Sequence, residues 1–453
     1  MMSQLVTAKY LCQCGLTLLS LTGVATAANF ELSKFIEVGA TTTDNLLLGN
    51  ADSDKENNLI FNIKPSVELK YNGNRFGLVA LGEVEYSKLN GSDEKAVDPR
   101  LFMRVRGTLV DNLLFLDSTL SVAKLSTSSA FLRPTNEEET GIRSNTTAYI
   151  EHSFGRTADL YAGYTFSTIA ETTEGDFDVN QHTVDLSLGR DPAYGGAYWG
   201  IGGSYSLDES KTNEFEDAYI YGTLGTTINQ TLLAEATYGI ENRKLINAVN
   251  TGSQETSEYD NTSLWRAQLK WSPSEFTSLT VGYGERFFGR GPNMQLRHRI
   301  SNSSILASYT RDLTRQETSL NNISILGDIA NPTVSDTDNV TIDGANNLSP
   351  QDEPFVDNRF QVGYKLAGRR SDIIVDAVYS KQEPLTGTTS IQSLLGRLVF
   401  DRRLSEFLSL RLQYDYQKRE ASDLTDLNYD ENRFAFKLIY SFDGNEKLDE
   451  DEY

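Results

Sequence analysis

The chain has 453 residues, a formal net charge of −22, 63 acidic against 41 basic residues, two cysteines and three histidines. So acidic a chain is not expected to partner a nucleic acid, and so little Cys and His leaves scant material for a disulfide framework or a histidine metal site. The 22 Tyr, 21 Phe and 34 Gly recur in short alternating blocks rather than at helical spacing, which is strand composition.

The first element is not part of a fold. Residues 1–27 carry one positive charge, Lys9, then an apolar run from about Leu11 to Val24, and end in Ala25-Thr26-Ala27. That order predicts a secretory signal peptide with cleavage after a small-x-small pattern. The run is short of the ~20 residues that a membrane helix needs. Both cysteines, Cys12 and Cys14, lie inside it, so the mature chain is expected to carry no thiol chemistry at all.

From there alternation takes over. In 57–71, Leu59, Phe61, Ile63, Val67, Leu69 and Tyr71 fall on one face, and Asn62, Lys64, Ser66, Glu68 and Lys70 on the other. In 231–242, Leu232, Ala234, Ala236, Tyr238 and Ile240 oppose Glu235, Thr237, Gly239 and Glu241. In 406–420, Leu408, Leu410, Leu412, Tyr414 and Tyr416 oppose Ser409, Arg411, Gln413, Asp415, Gln417 and Arg419. A slip of one residue would exchange the faces, so alternation this clean implies two very different surroundings.

The connections are of two kinds. Eight are tight and rich in Asn, Gly, Pro, Asp and Ser: 71–76, 109–114, 154–159, 228–232, 272–276, 300–304, 366–372 and 403–407. Such residues make reverse turns. Nine are longer, polar and acidic: 44–56, 88–98, 126–140, 171–178, 208–217, 243–258, 319–354, 383–390 and 420–428. Alternating long and short connections predict antiparallel hairpins with turns at one end and loops at the other. That is the plan of a bacterial outer-membrane barrel, with its turns periplasmic. The expected fold is all-β: one closed up-and-down transmembrane barrel of about 20 strands over 28–442, with 18 as the alternative count. Both mature ends fall on the periplasmic side. A soluble sandwich is disfavoured, because the polar sets are too charged to pack across a gap of about 10 Å between sheets.

The last strand is 431–442. Phe434, Phe436, Leu438, Tyr440 and Phe442 would face lipid, with Tyr440 and Phe442 in the periplasmic aromatic girdle. Residues 443–453 form an acidic tail, expected to be solvated in the periplasm.

Four stretches, 108–122, 285–291 (ERFFGRG), 295–316 and 409–442, together resemble the outer-membrane β-barrel family associated with exosortase/PEP-CTERM systems, allied to the β-barrel porin 2 group. The pattern extends over nearly the whole mature chain. The resemblance implies no catalytic residues. It implies a role in Gram-negative surface systems for exopolysaccharide or for exported proteins, with polysaccharide export components among the expected partners.

Little in the sequence suggests an enzyme. His152, His182 and His298 stand apart from any nucleophile elbow, and His298 alternates with Leu296 and Ile300, which places it on the lipid side. No glycine loop for a phosphate is present and no cofactor is expected. In 319–354, Asp336, Asp338 and Asp343 lack the spacing of a Ca2+ loop.

The chemistry lies in the polar faces. The expected pore lining carries the acids Glu68, Glu83, Glu85, Glu235 and Asp415. Its bases are Arg104, Arg106, Arg266, Arg286, Arg297 and Arg299, followed by Arg359, Arg397, Arg411 and Arg433. These charges either brace the wall by cross-strand pairing or select solutes. The bases gather toward the C-terminal half, so one side of the lumen is expected to be positive. Tyr161, Tyr198, Tyr219 and Tyr221 also come out inward, as a stacking track for sugars or as filling. The sequence thus points to a porin-like channel in the cell outer membrane that serves export of an extracellular polysaccharide. A general uptake porin for small solutes and a non-conducting structural or adhesin barrel fit the same pattern. The remaining expected partners are outer-membrane lipids, lipopolysaccharide and the barrel assembly machinery.

Overall fold

The computed structural model describes residues 29–45, 57–91, 95–125, 139–171, 179–210, 213–248, 254–314, 355–385, 390–422 and 428–443. The signal peptide, most of the acidic tail and the whole of 319–354 lie outside the described residues.

Twenty strands follow one another. They are β1 (Asn29–Thr43), β2 (Asn58–Asn72), β3 (Phe76–Leu89), β4 (Lys95–Val110), β5 (Leu114–Leu125), β6 (Glu139–Ser153) and β7 (Asp159–Glu171). Next come β8 (Val179–Gly189), β9 (Ala197–Ser210), β10 (Asn213–Asn229), β11 (Leu232–Ala248), β12 (Gln254–Ser274), β13 (Thr277–Arg286) and β14 (Gly289–Ile300). The remainder are β15 (Ser303–Thr314), β16 (Phe355–Ala367), β17 (Ser371–Pro384), β18 (Ile391–Arg403), β19 (Leu408–Ala421) and β20 (Tyr429–Ser441). Each pairs antiparallel with the next, as β2 does with β3 and β19 with β20. β1 closes on β20, from Phe35 opposite Ser441 to Thr43 opposite Arg433. Closure leaves no edge, so every strand has ladder partners on both sides, the condition for backbone to survive in hydrocarbon.

The two faces of this sheet can be told apart by geometry. Some polar side chains reach across an intervening strand: Tyr198 Oη on β9 donates to Glu235 Oε2 on β11 at 2.9 Å, and Arg286 Nε on β13 to Glu241 Oε2 on β11 at 3.3 Å. Such contacts need a concave surface, so the polar face is the lumen. The opposite face carries exposed apolar residues such as Leu224 (71%), Ile201, Leu269, Val67 and Leu398. Exposed aromatics border this band on both sides. Tyr205, Tyr238, Tyr283, Tyr379 and Tyr414 lie toward the long connections, and Phe30, Trp271, Phe276, Tyr440 and Phe442 toward the tight turns. A belt of lipid-facing side chains between two girdles is the outer surface of an outer-membrane barrel. The protein resides in the outer membrane. His298 is on this face, its Nδ1 2.8 Å from Thr277 Oγ1.

The expected alternation of connections needs two additions. On the turn side, 190–196 joins β8 to β9 through a 310 turn at Pro192–Tyr194, capped by the Asp191 side chain. On the long-connection side, β13 and β14 meet at the two residues Phe287 and Phe288, followed by Gly289 at φ 105°. That φ is open to glycine and strained for other residues. Two expected loops also shrink, because 208–217 and 243–258 are largely taken up by the ends of β9 to β12. β12 has 21 residues and β10 and β11 have 17 each. A tilted strand crosses a bilayer in about 9–11 residues, so these three project well beyond the membrane.

Candidate functional site

The lumen surface has two kinds of wall. One kind, β16–β20 with β1–β5, is knitted by ion pairs. Glu83 lies 3.6 Å from Lys64 and 3.5 Å from Arg100, and Arg100 also meets Glu85 and Asp98. Lys70 pairs with Glu68 at 3.7 Å. Asp117 accepts from both Arg104 at 2.8 Å and Arg106 at 3.0 Å. Across the closing seam, Glu37 meets Lys437 at 3.2 Å and Lys64 at 3.9 Å. Farther on, Arg359 pairs with Asp357, Arg397 with Asp415, Arg411 with Asp401 and Arg433 with Glu431, at 2.7–3.1 Å. Arg359, Arg397, Arg411 and Arg433 therefore add little net positive charge to the lumen, because each is matched by a carboxylate on its own or a neighbouring strand.

The other wall, β9–β15, is built from glycine, tyrosine and a few unmatched cations. Tyr198 lies across Gly225, where an added Cβ would run into the ring, and Tyr221 lies across Gly202, where it would stand 2.7 Å away. Tyr161 on β7 covers Gly163 in the same way. Tyr161 and Tyr198 are thus wall filling laid into glycine slots. Register explains the fit, since Gly225 stands opposite Tyr198 and Gly202 opposite Tyr221.

Four inward cations on this wall stand out. Arg297 and Arg299 on β14 and Lys270 on β12 are exposed and have no ion-pair partner among the described residues. Arg266 on β12 has a half-exposed side chain (49%), and its carboxylate, Glu235, is 3.9 Å away. On β13, between these two strands, only Ser278, Thr280, Gly282 and Gly284 face the same way up to Arg286. The patch carries positive charge with nothing on β13 to neutralise it.

Above the patch the Phe287–Phe288 turn folds into the lumen. The Phe287 amide donates to Glu241 Oε1, reaching past β12 to β11. The Arg243 guanidinium lies 3.9 Å over the Phe287 ring. Arg243 is anchored by Asp217 at 2.7 Å and Glu241 at 3.3 Å, with Arg243 1% and Glu241 0% exposed at the side chain. Arg286 links Glu241 to Asp312 on β15. Next to this network the register of β11 and β12 shifts at Asn242 and Asn261, Asn261 sitting at φ 51° and its amide held by Asn242 Oδ1 at 2.7 Å. A bulge of this kind re-aims side chains, a common device beside functional sites.

Each residue expected to line the pore shares the polar face, but their surroundings differ. Of the set, Arg297 and Arg299 have no ion-pair partner among the described residues and Arg266 has Glu235 at 3.9 Å, while Arg286 is locked into the turn. Sequence reading did not single out Glu241, Arg243 and Asp217 as a site. The signal was the period-two pattern running on through Glu241, Arg243 and Leu245, inside a stretch that reads as loop from composition. Phe288, Asn293 and Arg311, which line a cavity beside the turn, were not visible either, because nothing local says that a Phe-Phe turn will bend inward.

No family model matches the sequence. No curated protein matches it. Among solved structures, the chain is similar to BauA, the ferric preacinetobactin receptor of Acinetobacter baumannii, at 9% identity and TM-score 0.48, covering 92% of this chain and 81% of that one. It is similar to the FrpB iron transporter of Neisseria meningitidis at 8% identity and TM-score 0.48, covering 93% and 82%. It is similar to OccK2 of Pseudomonas aeruginosa at 10% identity and TM-score 0.36, covering 91% and 98%.

Proposed function

We propose that this barrel is an outer-membrane channel, not an enzyme, and that its cargo is an extracellular polysaccharide passing outward. The observation that carries the reading is the basic patch of Arg266, Lys270, Arg297 and Arg299, flanking a β13 whose inward residues up to Arg286 are Ser278, Thr280, Gly282 and Gly284. Charge left unmatched on a lumen wall acts on passing ions, whereas charge matched by a neighbour holds the wall. A wall of tyrosine and hydroxyl groups with cations is suited to an anionic, hydroxyl-rich chain. Barrels of 16–18 strands hold aqueous channels and those of 22 a plugged lumen, so 20 strands give a bore of the size required. The likeness of 108–122, 285–291, 295–316 and 409–442 to exosortase-associated barrels supports the choice of cargo.

The test joins two measurements. Planar-bilayer recording of the purified barrel should give stable, anion-preferring conductance. Deletion of the gene should lower the exported polysaccharide at the cell surface. Normal polymer export with reduced uptake of small anions would replace this reading with an uptake porin. Absence of any conductance, even after removal of 319–354, would leave a structural barrel.

A further inference from the structure

Beside the infolded turn, β10–β15 enclose a partly closed cavity of 490 Å3 on the inner wall. That is the size of a small-molecule site. Its lining combines three features. The first is aromatic surface: Tyr219 and Tyr221, two residues apart on β10, have ring centroids 6.0 Å apart at 27°, and Phe288 comes in from the turn. The second is a cation with spare capacity, the half-exposed Arg266, whose one ion-pair partner among the described residues is Glu235 at 3.9 Å. The third is a buried acceptor and a buried donor without partners, Asn293 Oδ1 and Arg311 Nε. Arg311's terminal nitrogens are already committed, to the carbonyls of Phe288 at 3.1 Å and Arg290 at 3.5 Å.

Buried polar atoms are normally satisfied, and each exception calls for a reason. Asn293 Oδ1 needs a ligand that donates, and Arg311 Nε one that accepts. Arg266 has room for a carboxylate, which an arginine holds through two parallel N–H donors. The aromatic rings ask for an apolar face. A flat aromatic acid would supply the carboxylate and the face but no hydroxyl for Asn293. A neutral sugar would supply the hydroxyls and the face but leave Arg266 unused. A hexuronate meets all three demands at once.

We propose that this cavity binds a hexuronate, free or as one unit of a polysaccharide, with its carboxylate on Arg266, its hydroxyls on Asn293 and Arg311, and its ring against Tyr221 and Phe288. This rests on the channel reading only in taking the lumen to be open to water. The test is calorimetry on the folded barrel in detergent, with glucuronate, its methyl ester, glucose and a glucuronate tetramer as probes. Glucuronate should bind about tenfold or more tightly than its ester, the scale of one charge-assisted pair. Arg266→Gln should close that gap, while Tyr221→Ala should weaken acid and ester together. Equal affinity for acid and ester in the unaltered protein overturns the proposal, and that comparison stands even if a variant fails to fold. Tetramer binding tighter than monomer marks the polymer as the source, and monomer binding with the tetramer excluded marks the free acid. Conductance of the same preparation separates the two ideas. A conducting barrel with no preference for the acid removes the hexuronate site alone, and a preference in a silent barrel removes the channel alone.

Discussion

Two stretches of one continuous sheet use the same alternation to opposite ends. On β16–β20 and β1–β5, inward charges answer one another across the strands, as Arg397 answers Asp415 and Arg411 answers Asp401. On β9–β15, tyrosines lie in glycine slots, four cations stand open, and charge pairing is concentrated around one infolded turn. The first arrangement fixes the shape of the wall with groups that face water. The second leaves cations without a close partner on its surface and gathers its own charge pairing into a buried knot. Period two in a sequence therefore reports that two environments exist, but not whether the polar one is structural or functional.

The sharpest way to break the comparison is to remove the centre of the knot. Glu241 has no exposed side-chain surface and serves Arg243, Arg286 and the Phe287 amide. Breaking a buried ion pair by deleting one partner costs about 3–5 kcal/mol, since the other charge stays buried. Glu241→Ala should lose that much in urea unfolding from detergent or lipid. Asp401→Ala, whose partnership with Arg411 leaves both side chains more than a quarter exposed, should cost within about 1 kcal/mol. Equal losses would mean that the turn is not the anchored element and that the two walls are braced alike.

A smaller effect separates the glycines. Gly225 underlies Tyr198, and a methyl there has no room. Overpacking of this kind costs about 1–3 kcal/mol. Gly396, on β18, has nothing within 4 Å of an added Cβ, and its change to Ala should be neutral or gain up to about 1 kcal/mol by restricting the unfolded chain. The pair is read in the same unfolding assay. A harmless Gly225→Ala would show that Tyr198 is free to lift off, which would return it to the list of candidate sugar contacts.

Much of this architecture is legible in the sequence because lipid and water are extreme solvents. Leu232, Ala234, Ala236, Tyr238 and Ile240 cannot trade places with Glu235, Thr237 and Glu241, so the faces of β11 are plain. Eight of the tight turns announce themselves through Asn, Gly, Pro and Asp. What stays hidden depends on register and on curvature. That Arg397 Nε bonds Asp415, although Arg397 stands opposite Asp376 as well, is decided by side-chain geometry. That Arg286 finds Glu241 requires a concave face that brings β13 over β12. A turn written Phe-Phe looks like apolar strand until Gly289 bends it and Arg243 stacks on it.

The smallest expected effect tests the open patch itself. Arg297 and Arg299 have no partner among the described residues, so reversing both to Glu removes no pairing and should leave the unfolding curve in place. The anion-to-cation permeability ratio should instead fall by about threefold, equal to roughly 0.7 kcal/mol when tenfold is 1.4. Arg411→Glu offers the contrast. It strands Asp401 beside a like charge, so it should register in stability before it registers in selectivity. Screening sharpens the reading: an effect carried by exposed lumen charges should shrink between 0.1 and 1 M salt, as the Debye length falls from about 10 to 3 Å. If the ratio ignores Arg297 and Arg299 yet follows Arg411, then the braced wall, not the glycine and tyrosine wall, is where ions meet the protein.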